Sequence, residues 1–281
     1  MPKNQDKIKA ALDRIEDGLA AINSDENWLS YLCFQSKFYN YSFRNTMLIY
    51  RQNPQATYVK GYKAWNQLGR YVKKGSKGLS ILAPCFRTKH DVGQEEEEKR
   101  CEKVISGFRV TYVYDIADTD GSDEYLPVLV KGLTGKSETW QKLYERILEV
   151  ISKEYQVTEV MGTAAKGSYN RETEKICVRG DLDYLQKIKT LLHEYAHAID
   201  FKLHPESDVK YNQRELIAES VAYVVSENLG LDTGSYSISY INTWMGDTDE
   251  LKSIADTVQK ISAQIINNLA ESSDSAFSDS E

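Results

Sequence analysis

The sequence predicts an α+β protein of two domains. The chain has 281 residues, a length that suits one large domain or two ordinary ones. Helical periodicity appears at the start of the chain and through its second half, and short glycine-punctuated β segments lie between them. We expect a helical and β-hairpin domain over 1–125, a second domain over 136–270 and a disordered acidic tail over 271–281.

The N-terminal domain is predicted to start with two helices. Apolar residues spaced by three or four predict the first helix over 4–22, and a second is expected over 28–51, ending before Asn53-Pro54. Short strands follow around glycines 69, 75 and 78, and another strand is expected over 104–116. The segment 91–103 is an acidic insertion that we expect to form a hairpin loop.

The second domain is predicted to be mainly helical. Helices are expected over 137–155, 181–203, 212–230 and 249–270, and a β-hairpin over 166–179. Gly230 is expected to end the third of these helices.

Composition excludes several classes of protein. The mean hydropathy is −0.53 and no apolar run approaches about 18 residues, so we expect neither a membrane-spanning helix nor a membrane partner. The chain starts with a polar, charged segment and has four scattered cysteines without a CxxC pair. Both features favour a cytoplasmic protein without a disulfide framework.

Residues 27–90 form a basic and aromatic run. They include eleven Lys or Arg, no Asp or Glu, and 13 of the 30 aromatic residues. Cations attract phosphates and exposed rings stack on unpaired bases, which favours single-stranded DNA as a partner. The alternative is that the aromatics form a core and the lysines a solvated face. The candidate DNA-binding residues are Lys60, Lys63, Arg70, Lys73, Lys74 and Lys77, with Trp65 and Tyr71 as stacking candidates.

The sharpest motif is His193-Glu194-Tyr195-Ala196-His197. On a helix, residues four apart lie on one face, so both imidazoles can bind one metal ion while Glu194 accepts a proton from its water. Two surface histidines beside a stray glutamate are the alternative. Tyr195 is expected to point into the core.

A catalytic zinc ion usually has three protein ligands and an open position. Glu215 is the preferred third ligand, on a helix whose small Ala218 permits close packing. Glu219, one turn later, would orient a ligand histidine, although the two glutamates could exchange roles. Asp200 and His204 are rival third ligands.

Both halves resemble a known family. Residues 41–84 and VYDIADTDG (113–121) resemble the N-terminal single-stranded DNA-binding domain of ArdC-type antirestriction proteins. HEYAHAID, RELIAESVAYVVSENLGL and SYINTWMGD (239–247) resemble the zincin-like metallopeptidase domain of that family, which is related to the ImmA/IrrE group. The resemblance covers nearly the whole chain except the insertion and the tail. It implies a protein of a mobile genetic element that shields incoming DNA from restriction.

The preferred prediction is a single-stranded DNA-binding protein with a zinc-dependent peptidase domain, one zinc per chain and an unknown protein or peptide substrate. Zinc would lower the pKa of its bound water, Glu194 would act as general base, and Tyr169 or Tyr240 would stabilise the oxyanion. One alternative is a DNA-protective protein with a non-catalytic metal site. Another is a regulatory protease that cleaves a repressor.

Overall fold

The chain folds into eight α-helices and eight β-strands within the residues that the computed structural model describes, which are 2–89, 102–124, 126, 137–205, 209–231 and 248–278. The elements are α1 (Pro2–Ala21), α2 (Asp25–Lys37), α3 (Phe43–Gln52), β1 (Val59–Gly61), α4 (Tyr62–Gln67), β2 (Arg70–Val72), β3 (Leu79–Lys89), β4 (Glu102–Asp115), β5 (Thr119–Gly121), α5 (Ser137–Ser152), β6 (Gln156–Val160), β7 (Gly167–Asn170), β8 (Lys175–Arg179), α6 (Tyr184–Leu203), α7 (Tyr211–Asn228) and α8 (Thr248–Ser278).

The elements group into two compact units. One consists of Met1–Gly18 with Met47–Leu126, and the other of Leu19–Thr46 with Pro127–Glu281. The sequence divides the chain once, between 125 and 136, whereas the structure groups α2 with the C-terminal helices. Tertiary packing explains this difference, because the indole N–H of Trp28 on α2 donates a 3.0 Å hydrogen bond to Ser220 on α7.

The first unit is built around the antiparallel hairpin of β3 and β4. β1 pairs with the other edge of β4 to complete a three-stranded sheet, and β2 pairs with β5 in a separate two-stranded sheet. The acidic insertion lies almost entirely outside the described residues, between the paired ends of β3 and β4 at Lys89 and Glu102.

The second unit places α6 in its core. The N-cap of the helix is Asp183, whose carboxylate accepts the N–H of Gln186. Most of its apolar side chains are buried, namely Ile188, Leu191, Leu192, Tyr195, Ala196, Ala198 and Ile199. The strands form a sheet in the order β6-β8-β7, in which the predicted hairpin of β7 and β8 is antiparallel.

Two helical predictions are wrong in their extent. The helix expected over 28–51 is two helices, because the Phe38 N–H bonds the Gln35 carbonyl and Ser42 caps a new helix by accepting the Asn45 N–H. α8 continues through Ser278, so residues 271–278 are helical where the sequence predicts disorder. No helix among the described residues has the length and apolar character required to cross a membrane.

Candidate metal centre and nucleic-acid interface

α6 presents His193 and His197 one turn apart on one face. Their Nε2 atoms are 3.1 Å apart, and the two rings are nearly perpendicular, at 81°. His197 is buried and His193 is half-buried. The helical period thus brings two imidazole nitrogens to one point.

α7 brings Glu215 to the same point. Its Oε2 is 3.6 Å from Nε2 of His193, and its Oε1 is 3.4 Å from Nε2 of His197. One ligand atom from each of the three side chains lies within 4.8 Å of the others. Two ligands bound tetrahedrally at about 2.1 Å from one ion are about 3.4 Å apart. The three side chains therefore fit a single divalent ion.

The protonation states of these groups suit metal binding. Burial and the neighbouring His197 lower the pKa of His193 to about 4, so its ring is neutral at pH 7 and has a free lone pair. A hydrogen bond from His197 holds the pKa of the Glu215 carboxyl below its usual range, and the Tyr211 hydroxyl contributes a second bond. The site thus offers the neutral imidazole of His193 and the carboxylate of Glu215 beside the ring of His197.

Glu194 lies beside the ligands and is only 8% exposed. Burial raises the pKa of its carboxyl to about 7, although a hydrogen bond from the Tyr169 backbone favours the charged form. That bond comes from β7, which passes close to α6 at Gly167. A Cβ built on Gly167 would lie 2.9 Å from Oε1 of Glu194 and 2.5 Å from Cγ2 of Thr190. The glycine therefore permits the close approach of strand and helix at Glu194.

Glu219 lies on the other side of His193. Its Oε1 is 3.5 Å from His193 Nδ1, the ring nitrogen that faces away from the ligand cluster. Burial and the charge of Glu215 raise the pKa of Glu219, while Lys166 opposes that effect. A carboxylate in this position orients the imidazole, which is the role that the sequence predicts for Glu219.

The rival ligands have other partners. His204 Nδ1 is 2.9 Å from Oδ1 of Asp200, and Arg214 donates to Oδ2 of Asp200 and to the His204 carbonyl. The guanidinium of Arg214 also stacks on Phe201, 4.1 Å from the ring centroid. Asp200, 1% exposed, thus forms an ion pair between α6 and α7 next to Glu215.

The tyrosine predictions have different outcomes. Tyr195 is buried, as the sequence predicts. The Tyr169 ring packs against Tyr155 and Phe201, and the oxyanion role of its hydroxyl stays a prediction. Tyr240 lies outside the described residues, as does the segment 239–247.

Two of the eight DNA-binding predictions are wrong. Trp65 is 0% exposed and its indole N–H donates to the Tyr114 carbonyl at 2.9 Å, so it is a core residue. Arg70 is buried as well. Its guanidinium bonds the Thr119 side chain and carbonyl, the Gly121 carbonyl and the Asp123 carboxylate, and thus holds β2 against β5.

The other candidates remain accessible to different degrees. Lys63, Lys74 and Lys77 are exposed, and Tyr71 is 63% exposed. Lys73 donates to the Ala117 carbonyl at 2.9 Å and lies 3.5 Å from Asp120. Lys60 is half-buried, with its ammonium 5.1 Å from the centre of the Tyr58 ring.

Sequence reasoning missed three residues of the metal centre. Arg214 precedes the predicted ligand, Gly167 starts the strand beside Glu194, and Tyr211 hydrogen-bonds Glu215 from one turn away. Tyr211 could have been found from its spacing of four residues from Glu215. The contacts of Gly167 and Arg214 join distant segments and leave no local pattern.

Comparison with known proteins identifies relatives of both units. Residues 5–114 match the family model of the N-terminal domain of anti-restriction factor ArdC. The crystal structure of the antirestriction ArdC protein from plasmid R388, in its metal-free form, is 20% identical to this chain. The match has a TM-score of 0.51 and covers 82% of this chain and 86% of that one. The Mn(II)-bound form of the R388 protein is 19% identical, with a TM-score of 0.50 over 82% of this chain and 85% of that one.

A curated relative comes from Bacillus anthracis. That uncharacterised protein is 24% identical over 302 aligned positions, which cover 92% of this chain and 51% of the relative. The chain therefore spans about half the length of this relative.

Proposed function

We propose that this chain is an ArdC-like antirestriction protein that joins a zinc-dependent peptidase centre to a single-stranded DNA-binding unit. The match of residues 5–114 to the ArdC N-terminal domain supports this proposal. The biological role of the chain would be to protect the incoming DNA of a mobile genetic element. The antirestriction name of the R388 plasmid protein supports that role.

One observation carries the enzymatic part of the proposal. Two imidazoles and a carboxylate converge within 4.8 Å, and a second carboxylate, Glu194, lies buried between the two histidines in sequence. A purely structural ion has no use for Glu194, whereas a hydrolase needs a base beside its metal.

The donor set supports zinc as the resident ion. Two histidines and one glutamate form the ligand set of several zinc peptidases. The same nitrogen and oxygen donors also accept Mn(II) more weakly, and the R388 relative was crystallised with Mn(II). We therefore expect zinc to displace Mn(II) from this chain.

The chemistry then follows from the chain's own groups. A bound divalent ion supplies a Lewis acid that lowers the pKa of water. Glu194 accepts the water proton and later returns it to the leaving amine. The Tyr169 backbone N–H holds the carboxylate in place for this transfer, and Glu219 orients the His193 ring from its other nitrogen.

Metal binding tests the ligand set. His193→Ala should reduce zinc affinity by more than about 100-fold, beyond the about 10–100-fold that loss of a supporting contact costs. His204→Ala is the matched control on the same helix and should keep nearly full affinity. Isothermal titration of the metal-free proteins with zinc and Mn(II) measures both effects. Equal losses in the two variants would contradict the assignment.

Glu194→Gln tests the hydrolytic role. The variant should keep zinc and fold but lose cleavage of a fluorescent casein substrate or of peptide-library probes, because glutamine cannot accept the proton. In cells, a partner that is cleaved with the original chain and intact with Glu194→Gln would identify the substrate. Unchanged cleavage by Glu194→Gln would refute the mechanism. If no protein is cleaved with either the original chain or the variant, a DNA-protective protein with a non-catalytic metal is favoured.

The exposed cations and Tyr71 support the DNA-binding part. Lys63, Lys74 and Lys77 can neutralise phosphates without breaking a contact within the fold. We expect tighter binding to single strands than to duplex of equal length at physiological salt, measured by fluorescence anisotropy. Equal affinities for single strands and duplex would mean that these lysines form a basic patch without a preference for unpaired bases.

A further inference from the structure

The hairpin of β3 and β4 extends well beyond its base. The strands pair continuously from Leu79 opposite Val113 to Lys89 opposite Glu102, and a register shift falls between Cys85 and Phe86. We call the part from Pro84 to Thr88 and from Lys103 to Phe108 the β-arm. Side chains alternate between the two faces of a strand, and directly opposite residues share a face.

The register places four large exposed side chains on one face. Tyr112 lies opposite Ser80, Phe108 opposite Pro84, and Phe86 opposite Ile105 beyond the shift. Their exposed fractions are 46% for Tyr112, 42% for Phe108, and 58% for each of Phe86 and Ile105. We call the three that lie within the β-arm, Phe86, Ile105 and Phe108, the aromatic face of the β-arm.

Burial changes along this face. Leu82, which lies on the same face nearer the base, is only 6% exposed. Tyr112, still nearer the base, is exposed, so Leu82 is a buried position between two exposed ones. From Pro84 onward the apolar side chains of this face meet solvent. Exposing such a row of apolar surface is unfavourable unless something covers it.

The charged side chains described along the β-arm itself are positive, whereas the acidic residues belong to the insertion that follows Lys89. Among the described side chains of 86–88 and 103–109, the charged ones are Arg87, Lys103 and Arg109, and all three are exposed. Lys103 shares the aromatic face through its pairing with Thr88, and the two arginines lie on the opposite face. Cations of this kind favour a polyanion over an apolar partner.

We propose that the aromatic face of the β-arm stacks unpaired bases of single-stranded DNA. Side chains two positions apart on one face are about 7 Å apart, wider than the about 3.4 Å rise of stacked bases in duplex. Each ring therefore receives a separate, unstacked base while Lys103, on the same face, neutralises a phosphate. This inference rests on the proposed DNA binding. It assigns the stacking role to Phe86 and Phe108, in place of the buried Trp65.

The test separates stacking from mere apolar contact. Phe86→Leu and Phe108→Leu keep an apolar side chain and remove the flat ring. Each should weaken binding of fluorescein-labelled dT20 to the full chain by about 5-fold to 150-fold, with an unchanged slope against salt. Lys103→Ala, on the same face, should instead lower that slope by about 0.7. Because these residues are exposed, the variants should keep the parental unfolding midpoint in urea.

Several outcomes would overturn the inference. If the parent chain binds dT20 and both leucine variants bind it equally well, the arm does not stack bases. If the parent chain binds no dT20 at all, the proposed DNA binding itself fails. If the parent chain dimerises in light scattering and Phe86→Ala abolishes the dimer without changing dT20 affinity, the face belongs to a second copy of this chain.

Discussion

The metal centre and the basic run hold their charges in different surroundings. At α6 and α7, imidazoles and carboxylates converge within a few ångströms and are largely buried. In the basic run, Arg70 is buried among acceptors, Lys73 is paired, and Lys74 is open to solvent.

The difference follows from the dielectric surroundings. Buried charges interact strongly and require partners, so each group at the metal centre depends on its neighbours. Solvent-exposed cations are screened and act almost independently. We therefore expect large, coupled effects of substitution at the first region and small, additive effects at the exposed positions of the second.

The largest expected effect on unfolding free energy distinguishes a buried residue of the basic run from an exposed one. Trp65→Ala should cost about 3–5 kcal/mol of unfolding free energy, because it empties a fully buried site. Tyr71→Ala, six residues later and 63% exposed, should stay within about 0.5 kcal/mol of the parent. Urea unfolding measures both. If Trp65→Ala and Tyr71→Ala lose similar amounts of unfolding free energy, Tyr71 also packs in the core.

The ion pair beside the metal centre should show strong coupling. Arg214→Leu should cost about 3 kcal/mol or more, because it leaves Asp200 buried without its guanidinium. The double variant Arg214→Leu with Asp200→Leu should recover much of that loss, since no unpaired charge remains. A double-mutant cycle in urea gives the coupling energy. Strict additivity would show that the two side chains act separately.

Glu194 should make the stability of the metal-free protein depend on pH. Its pKa rises to about 7 on folding, so the folded state holds this proton more tightly and its contribution to stability is lost as pH rises through 7. Glu194→Gln stays neutral and should be more stable than the parent by about 1–3 kcal/mol at pH 8, since one pKa unit is about 1.4 kcal/mol.

That difference should shrink towards zero at pH 5. His193, with its pKa of about 4, destabilises both proteins as pH falls below about 6.5, and this effect cancels in the comparison. Urea unfolding in the presence of a chelator at pH 5 and pH 8 provides the measurement. A constant gap between the two proteins would exclude titration of Glu194.

The smallest expected effect is a difference between two adjacent lysines in the salt dependence of DNA binding. Lys74→Ala should lower the salt slope of single-stranded DNA binding by about 0.7, the value for one phosphate contact. Lys73→Ala should change it less, because its ammonium already bonds the Ala117 carbonyl and lies near Asp120. Anisotropy titrations at several salt concentrations measure both slopes. An equal change would show that Lys73 leaves its partners when DNA binds.

Local pattern was sufficient for much of this molecule. Helical periodicity predicted the helices that carry the metal motif and the shared direction of His193 and His197, because residues four apart on a helix always lie on one face. The strand and turn residues of 166–179 predicted the hairpin of β7 and β8. The quoted sequence motifs predicted the ArdC resemblance that the family model confirms over residues 5–114.

Only the tertiary structure decided which side chains are buried and which partners they meet. Trp65 donates a hydrogen bond to the Tyr114 carbonyl and Arg70 donates one to the Thr119 hydroxyl, in each case 49 positions away. The approach of α7 to α6 favoured Glu215 over Asp200 and His204 as a metal ligand, and the register shift in the β-arm put Ile105 on the same face as Phe86 and Phe108. Contacts between distant segments depend on how whole elements pack, and no spacing within one element encodes them.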